Sequence, residues 1–259
     1  MTTAVPQRLR AATRTALDRA LARADVYRVL AGAFDDPDDP TGEASLDLAT
    51  LRAAARELGT QVGAATWRSI AGIVERDART VEHRRIFGHV VAHGCPPYET
   101  EWGRRHVFGQ SQDLGDIRGF YEAFGVRPRR GGERPDHLAC ELEFLSLLAI
   151  KEAMALAAGD ADRVEICRGA ASHFLEDHPG RWVVALAARI AGRAPRSGYA
   201  AAAALAATIL GAHAREIGAA PRLLEPDDLL PVTGDADGFA FECGLDLEAG
   251  DLGPPGAAP

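Results

Sequence analysis

His89 and His93 stand four residues apart, a spacing that stacks two imidazoles on one helix face, with Cys95 just beyond and His83 just before. Such a pair supplies half of a tetrahedral zinc site, and Cys95 or His106 would have to add a third ligand. The motif stays incomplete. No H-E-x-x-H occurs, and Gly94 follows His93 where a helix frays. A di-iron carboxylate site needs paired E-x-x-H motifs on a four-helix bundle, and the chain has no E-x-x-H. His137 and Cys140, at i and i+3, could touch on a helix, but there is no G-x-S-x-G and nothing marks an oxyanion hole. The residues therefore predict no catalytic group, no metal and no cofactor.

A binding chemistry fits better. Aromatics are only 6% of the chain, yet Tyr98, Trp102, Phe108, Phe120, Tyr121 and Phe124 fall within 27 residues. Shortly afterwards His137, Glu141, Phe144 and Leu148 follow one another at i, i+4, i+7 and i+11. On a helix they share one face, with polar heads at its N-terminal end and apolar groups further along. That face suits a ligand that is cationic at one end and apolar at the other. The alternative is that the aromatics fill core gaps left by alanine-rich helices.

The elements that must position these residues read as helices throughout. The periodicity predicts helices over about 13–34, 45–58, 61–78, 81–92, 112–124, 135–158, 160–176, 180–191 and 199–217. Pro135 fits the first position of what reads as the longest helix, which would place Asp136 at the positive end of its dipole. Breaks fall at Asp35–Pro40, at the paired Pro96-Pro97, and across the Gly/Pro/Arg stretch 127–134. No strand alternation, internal repeat, G-x-G-x-x-G or Walker signature appears. The expected fold is all-α, a single bundle of about nine or ten helices spanning 1–218, followed by an acidic Pro/Gly-rich tail over 219–259. Leu223, Leu224, Leu229, Leu230, Phe239 and Phe241 are the tail residues able to dock.

Composition narrows the function classes. The net charge of −8 is concentrated in 219–259, which holds nine acids and one base, while 1–218 carries 28 of each. No Lys/Arg block stands out, so no nucleic-acid or anionic-membrane surface is expected. Four scattered cysteines, Cys95, Cys140, Cys167 and Cys243, make no disulfide framework. The first residues carry arginines but no apolar core segment, and the one long uncharged run, near 199–212, is mostly alanine and weakly hydrophobic, so a cytoplasmic protein is expected.

Four short motifs in order resemble the TorD/DmsD/NarJ family of redox-enzyme maturation chaperones. They are Pro97-Tyr98-Glu99, Phe120-Tyr121 with Phe124-Gly125, Pro135-Asp136-His137-Leu138, and Glu141-Leu142-Glu143-Phe144-Leu145. Tyr27-Arg28-Val29-Leu30, Phe174-Leu175, His178-Pro179 and Trp182 also match family positions, so the likeness covers about 20–215. The resemblance implies a chaperone without catalysis. Its partner would be the twin-arginine signal peptide, with the apo form, of a molybdenum-cofactor oxidoreductase. Cofactor insertion would be assisted and Tat export delayed until maturation is complete. It further implies a monomer or a homodimer. Asp136, His137, Glu141 and Glu99 would meet the peptide's cationic end. Tyr98, Trp102, Phe108, Tyr121, Phe124 and Phe144 would bury its apolar segment. The competing readings are a small helical metal- or cofactor-binding enzyme using His137 and Glu141, and a structural assembly subunit.

Overall fold

The computed structural model describes residues 7–38, 46–88, 94–103, 107–127 and 133–229, with the side chains of 7–10 and 107–109 excepted. Among the described residues nine helices form and no β-strand does. In order they are α1 (Gln7–Phe34), α2 (Leu48–Glu57), α3 (Ala64–Ala71), α4 (Arg76–Phe87), α5 (Val107–Ala123), α6 (Leu138–Ala158), α7 (Ala161–Asp177), α8 (Pro179–Arg193) and α9 (Gly198–Ile217). One 3-10 turn, Glu99–Glu101, precedes α5.

Local signals place most boundaries. The Asp47 carboxylate accepts the N–H groups of Ala49 and Thr50 at the start of α2, and Asp160 and Ser197 cap α7 and α9 in the same way. Gly159, at φ +70°, ends α6 in a left-handed turn that a side chain would strain. Several expectations shift; α1 begins at Gln7 rather than 13, and α4 stops at Phe87 rather than 92. The helix expected over 61–78 is divided: α3 stops at Ala71, two tight turns at Gly72 and Ile73 follow, and Ile73 is drawn fully into the core. α4 then starts five residues before the expected 81. α5 begins at Val107 rather than 112. α6 begins at Leu138, so Pro135 lies in the turn ahead of it and α1, at 28 residues, is the longest helix.

α1 and α6 form the central pair. Val26, Tyr27, Leu30 and Phe34 of α1 and Leu142, Leu145 and Leu148 of α6 are buried in one continuous core. Each such side chain removed from water is worth roughly 1.5–3 kcal/mol. The Ser146 hydroxyl donates to the Ala24 carbonyl at 2.8 Å across this pair. α2 packs on α1, α7 on α6, and α9 against both α8 and α3. Ala202, Ala203 and Ala206, all buried, keep α9 thin enough for these close approaches. No helix among the described residues is long and apolar enough to cross a membrane.

Residues 219–229, the start of the expected acidic tail, run along the outside of α8. The Ala220 N–H donates to Glu176 and the Leu224 N–H to the Arg181 carbonyl. Leu229 makes an isolated antiparallel bridge with Trp102. Leu224 and Leu229 pack against the core while Leu223 is exposed. Leu230, Phe239, Phe241 and the rest of 230–259 lie outside the described residues.

Candidate functional site

The site is built around the first turn of α6. The chain cannot begin that helix at Pro135 because Asp136 and His137 are pulled into an extended clasp with the proline-rich loop. The Glu99 N–H donates to the Asp136 carbonyl and the Leu138 N–H to the Pro97 carbonyl, both at 2.8 Å. His137 is therefore the N-cap residue: its Nδ1 accepts the Ala139 N–H at 3.2 Å. An accepting ring nitrogen must be unprotonated, and burial, followed by the charge of His83, pushes the His137 pKa down to about 3.

Asp136 is fully buried, and its carboxylate ties the clasp together. Oδ2 accepts the Thr100 N–H at 3.1 Å and the Thr100 hydroxyl at 2.7 Å. The Arg134 guanidinium grips the same carboxylate through Nε at 3.0 Å and Nη2 at 2.7 Å, a two-point fork. Arg134 also lies over the Tyr98 ring at 4.5 Å, and the Tyr98 hydroxyl donates to Glu133.

Beneath this clasp sits a group of acids with few cations. Glu141 is fully buried and its Oε2 accepts the Trp182 indole N–H at 3.1 Å, while its Oε1 has no partner. Burial first, then the neighbouring Glu99 charge and hydrogen bond, raise Glu141 well above the usual carboxylate range. Glu99, also buried, contacts His178 through Oε2 and Nδ1 at 2.9 Å. Tyr121 donates its hydroxyl to the Pro135 carbonyl at 2.7 Å, which fastens α5 to the clasp. The Trp102 indole N–H donates to the Pro96 carbonyl, and its ring lies 6.1 Å from that of Trp182.

The residues singled out from the sequence thus converge, but as the inside of the site rather than its surface. Glu99, Trp102, Tyr121, Asp136, His137, Glu141 and Phe144 are buried, while Tyr98 and Phe124 are half-buried. Phe144 is the hub of an aromatic cluster with Phe120, Tyr121, Phe124 and Phe174, at centroid distances of 4.8–6.4 Å. The side chain of Phe108 lies outside the described residues.

The face open to a ligand is an adjoining trough of about 750 Å³ between α5 and the α7–α8 corner. Asp113 and Asp116 line it from α5, Asp177 and His178 from the corner, and Phe120 forms its apolar side. Sequence reasoning passed over Asp113 and Asp177. The available signal was the i, i+3 pair Asp113 and Asp116, flanking the stripe of Ile117 and Tyr121 that α5 turns inward. The α7–α8 corner closes because residue 180 is glycine: a Cβ there would sit 2.2 Å from the Leu175 carbonyl oxygen and 3.1 Å from Pro221. His178 is thereby held at the base of the trough, its ring edge-on to Phe120 at 5.4 Å.

Among the described residues no group of three or more His, Cys, Asp and Glu side chains could hold a metal. His89, His93 and His106 lie outside them, and His83 packs against Phe87 and Tyr199. Cys140 is shielded, and burial raises its thiol pKa, so the neutral His137 beside it generates no thiolate.

No curated protein and no solved structure matches the chain at a significant level. The model of one family does, the nitrate reductase delta subunit, over residues 47–188, which holds α2 to α7, the whole clasp and most of α8. With more than half its length covered, the chain belongs to the nitrate reductase delta subunit family, a family of molybdoenzyme maturation chaperones.

Proposed function

We propose that this chain binds the twin-arginine signal peptide of a molybdenum-cofactor oxidoreductase in the cytoplasm, holding the apoenzyme until cofactor insertion is complete and delaying its Tat export. The family supplies the class of client, a molybdoenzyme catalytic subunit. The observation that supports the peptide is the trough, which Asp113, Asp116 and Asp177 line together with Phe120, against one arginine, Arg181. A leader offers guanidinium groups next to an apolar run, and the two halves of the trough complement them in charge and in polarity. On this reading Asp136, His137, Glu141, Tyr98, Trp102, Tyr121, Phe124 and Phe144 frame the trough from behind, and Phe108 opens the helix that forms one wall.

The test is calorimetric titration of the full chain with a synthetic peptide carrying two adjacent arginines followed by an apolar run. Asp116 and Asp177 are exposed, so exchanging both for Asn should leave the melting temperature unchanged. Affinity should fall about tenfold, and salt should weaken the wild-type interaction. Equal affinity for the double variant and for wild type would remove the trough as the binding site.

A further inference from the structure

We propose, resting on that reading, that His178 recognises the guanidinium of the bound peptide through Nε2, in the tautomer that Glu99 imposes on it. His178 is 3% exposed and lines the base of the trough, yet its Nε2 is buried without a hydrogen-bond partner in the structure. A buried polar atom with nothing to bond costs free energy that an occupant able to bond it would return.

The direction of that bond follows from the groups behind the ring. Glu99 Oε2 lies 2.9 Å from His178 Nδ1, and a carboxylate oxygen accepts, so the hydrogen between them sits on Nδ1. In the neutral imidazole this leaves Nε2 with a lone pair. Asp116 and Asp177, both exposed acceptors, line the same trough, and Arg181, the cation in its lining, donates from Nη1 to the Asp177 carbonyl at 3.2 Å. Carboxylates together with an accepting ring nitrogen suit a donor-rich cation, and the guanidinium fork supplies N–H groups in several directions at once. Phe120, half-buried, packs edge-on against the His178 ring.

His178→Phe keeps an aromatic ring against Phe120 and Phe174 and removes both nitrogens. It should lower affinity for the twin-arginine peptide by about ten- to a hundredfold, as loss of a hydrogen bond to a charged group does. His178→Gln, which can offer an amide oxygen near the Nε2 position, should recover part of the loss. In the wild-type chain, ¹⁵N-labelled histidine provides a readout that needs no variant: Nε2 of His178 should resonate as an unprotonated nitrogen and shift when the peptide is added. A wild-type chain that binds the peptide while His178→Phe binds it equally well overturns this inference alone, as does an Nε2 that carries the hydrogen in the free protein. A wild-type chain with no affinity for the peptide overturns both this inference and the reading beneath it.

Discussion

Helix α6 carries buried glutamates near both ends, and the two are treated in opposite ways. Glu152 lies between two arginines: Arg23 reaches its Oε2 at 2.8 Å and Arg168 its Oε1 at 2.7 Å. Arg23 goes on to Glu216 at 2.9 Å, which Arg19 contacts at 2.7 Å. Partial burial raises Glu216, but the hydrogen bond from Arg19 and the charges of Arg23 and Arg19 outweigh it, and its pKa lies below the ordinary value. About 16 Å along the helix axis, Glu141 meets no arginine among the described residues, only an indole N–H and a neighbouring glutamate, with one oxygen unsatisfied. A hollow of about 900 Å³ lies beside the first network, larger than the trough beside the second, but Arg168 and Glu216 in its lining are already paired. Volume alone therefore does not mark the site. The first network links α1, α6, α7 and α9, with Arg23 Nε its one buried atom lacking a partner among the described residues, while the second gathers acids against one another.

Removing Glu152 should show the contrast most strongly. Glu152→Ala leaves Arg23, itself 3% exposed, with one of its two carboxylate partners. Breaking a buried pair from one side costs about 3–5 kcal/mol, so the melting temperature should fall by about 10 °C. A drop of only a degree or two would show that this network is no more structural than the acids at the other end.

Acid should also strike the Glu152 end. Burial, then the charge of Arg23, depresses His213 from 6.5 to about 3, where its Nδ1 meets the Tyr27 hydroxyl at 2.9 Å. A folded-state value below the unfolded one means that unfolding takes up a proton. Stability is then fully present above about 6.5 and is lost as pH falls towards 3, by on the order of a few kcal/mol. Buried His137 adds a loss in the same window. Thermal melts between pH 7 and pH 4 should follow that course, and His213→Gln should flatten it. An identical slope in the variant would assign the loss elsewhere.

Asp136→Ala comes next. It empties the clasp of a carboxylate bonded to Thr100 and to Arg134, and should cost about 2–3 kcal/mol in chemical denaturation, with Asp136→Asn recovering part. Unchanged stability would show the clasp to be dispensable for the fold.

Glu141→Gln should have the smallest effect below about pH 4.5, within about 1 kcal/mol, because a neutral amide reproduces the protonated acid. Its sign depends on pH. The folded-state pKa of Glu141 lies above the unfolded 4.5, so the stability it contributes is complete below that value and is lost as pH rises through the folded one. Gln does not titrate, so the variant should gain on wild type as pH increases, in parallel urea titrations. A variant that loses ground on raising the pH would mean that Glu141 is ionised in the fold.

Much of this arrangement was legible in the chain, because helices are specified by neighbours in sequence. Apolar residues recurring at 3.6, caps such as Asp47 and Asp160, and stops such as Gly59, Gly159 and Gly218 act within a few residues of where they stand. The order of the Tyr98, Asp136 and Glu141 motifs pointed to the right family for a related reason: each residue is needed by the fold at that place. What the sequence could not convey was which side chains face outward. Asp136 reads as a first-turn carboxylate, yet Thr100, 36 residues earlier, and the Pro97 carbonyl draw it into the interior and delay the helix to Leu138. Glu141 and Glu152 are the same residue type on the same helix. Whether a glutamate meets arginines from α1 and α7 or another acid from a distant loop depends on helix packing, and only the tertiary structure decides it. His178 is the sharpest case: its neighbours in the chain predict a helix break, and only burial against Glu99, 79 residues away, leaves Nε2 without a partner.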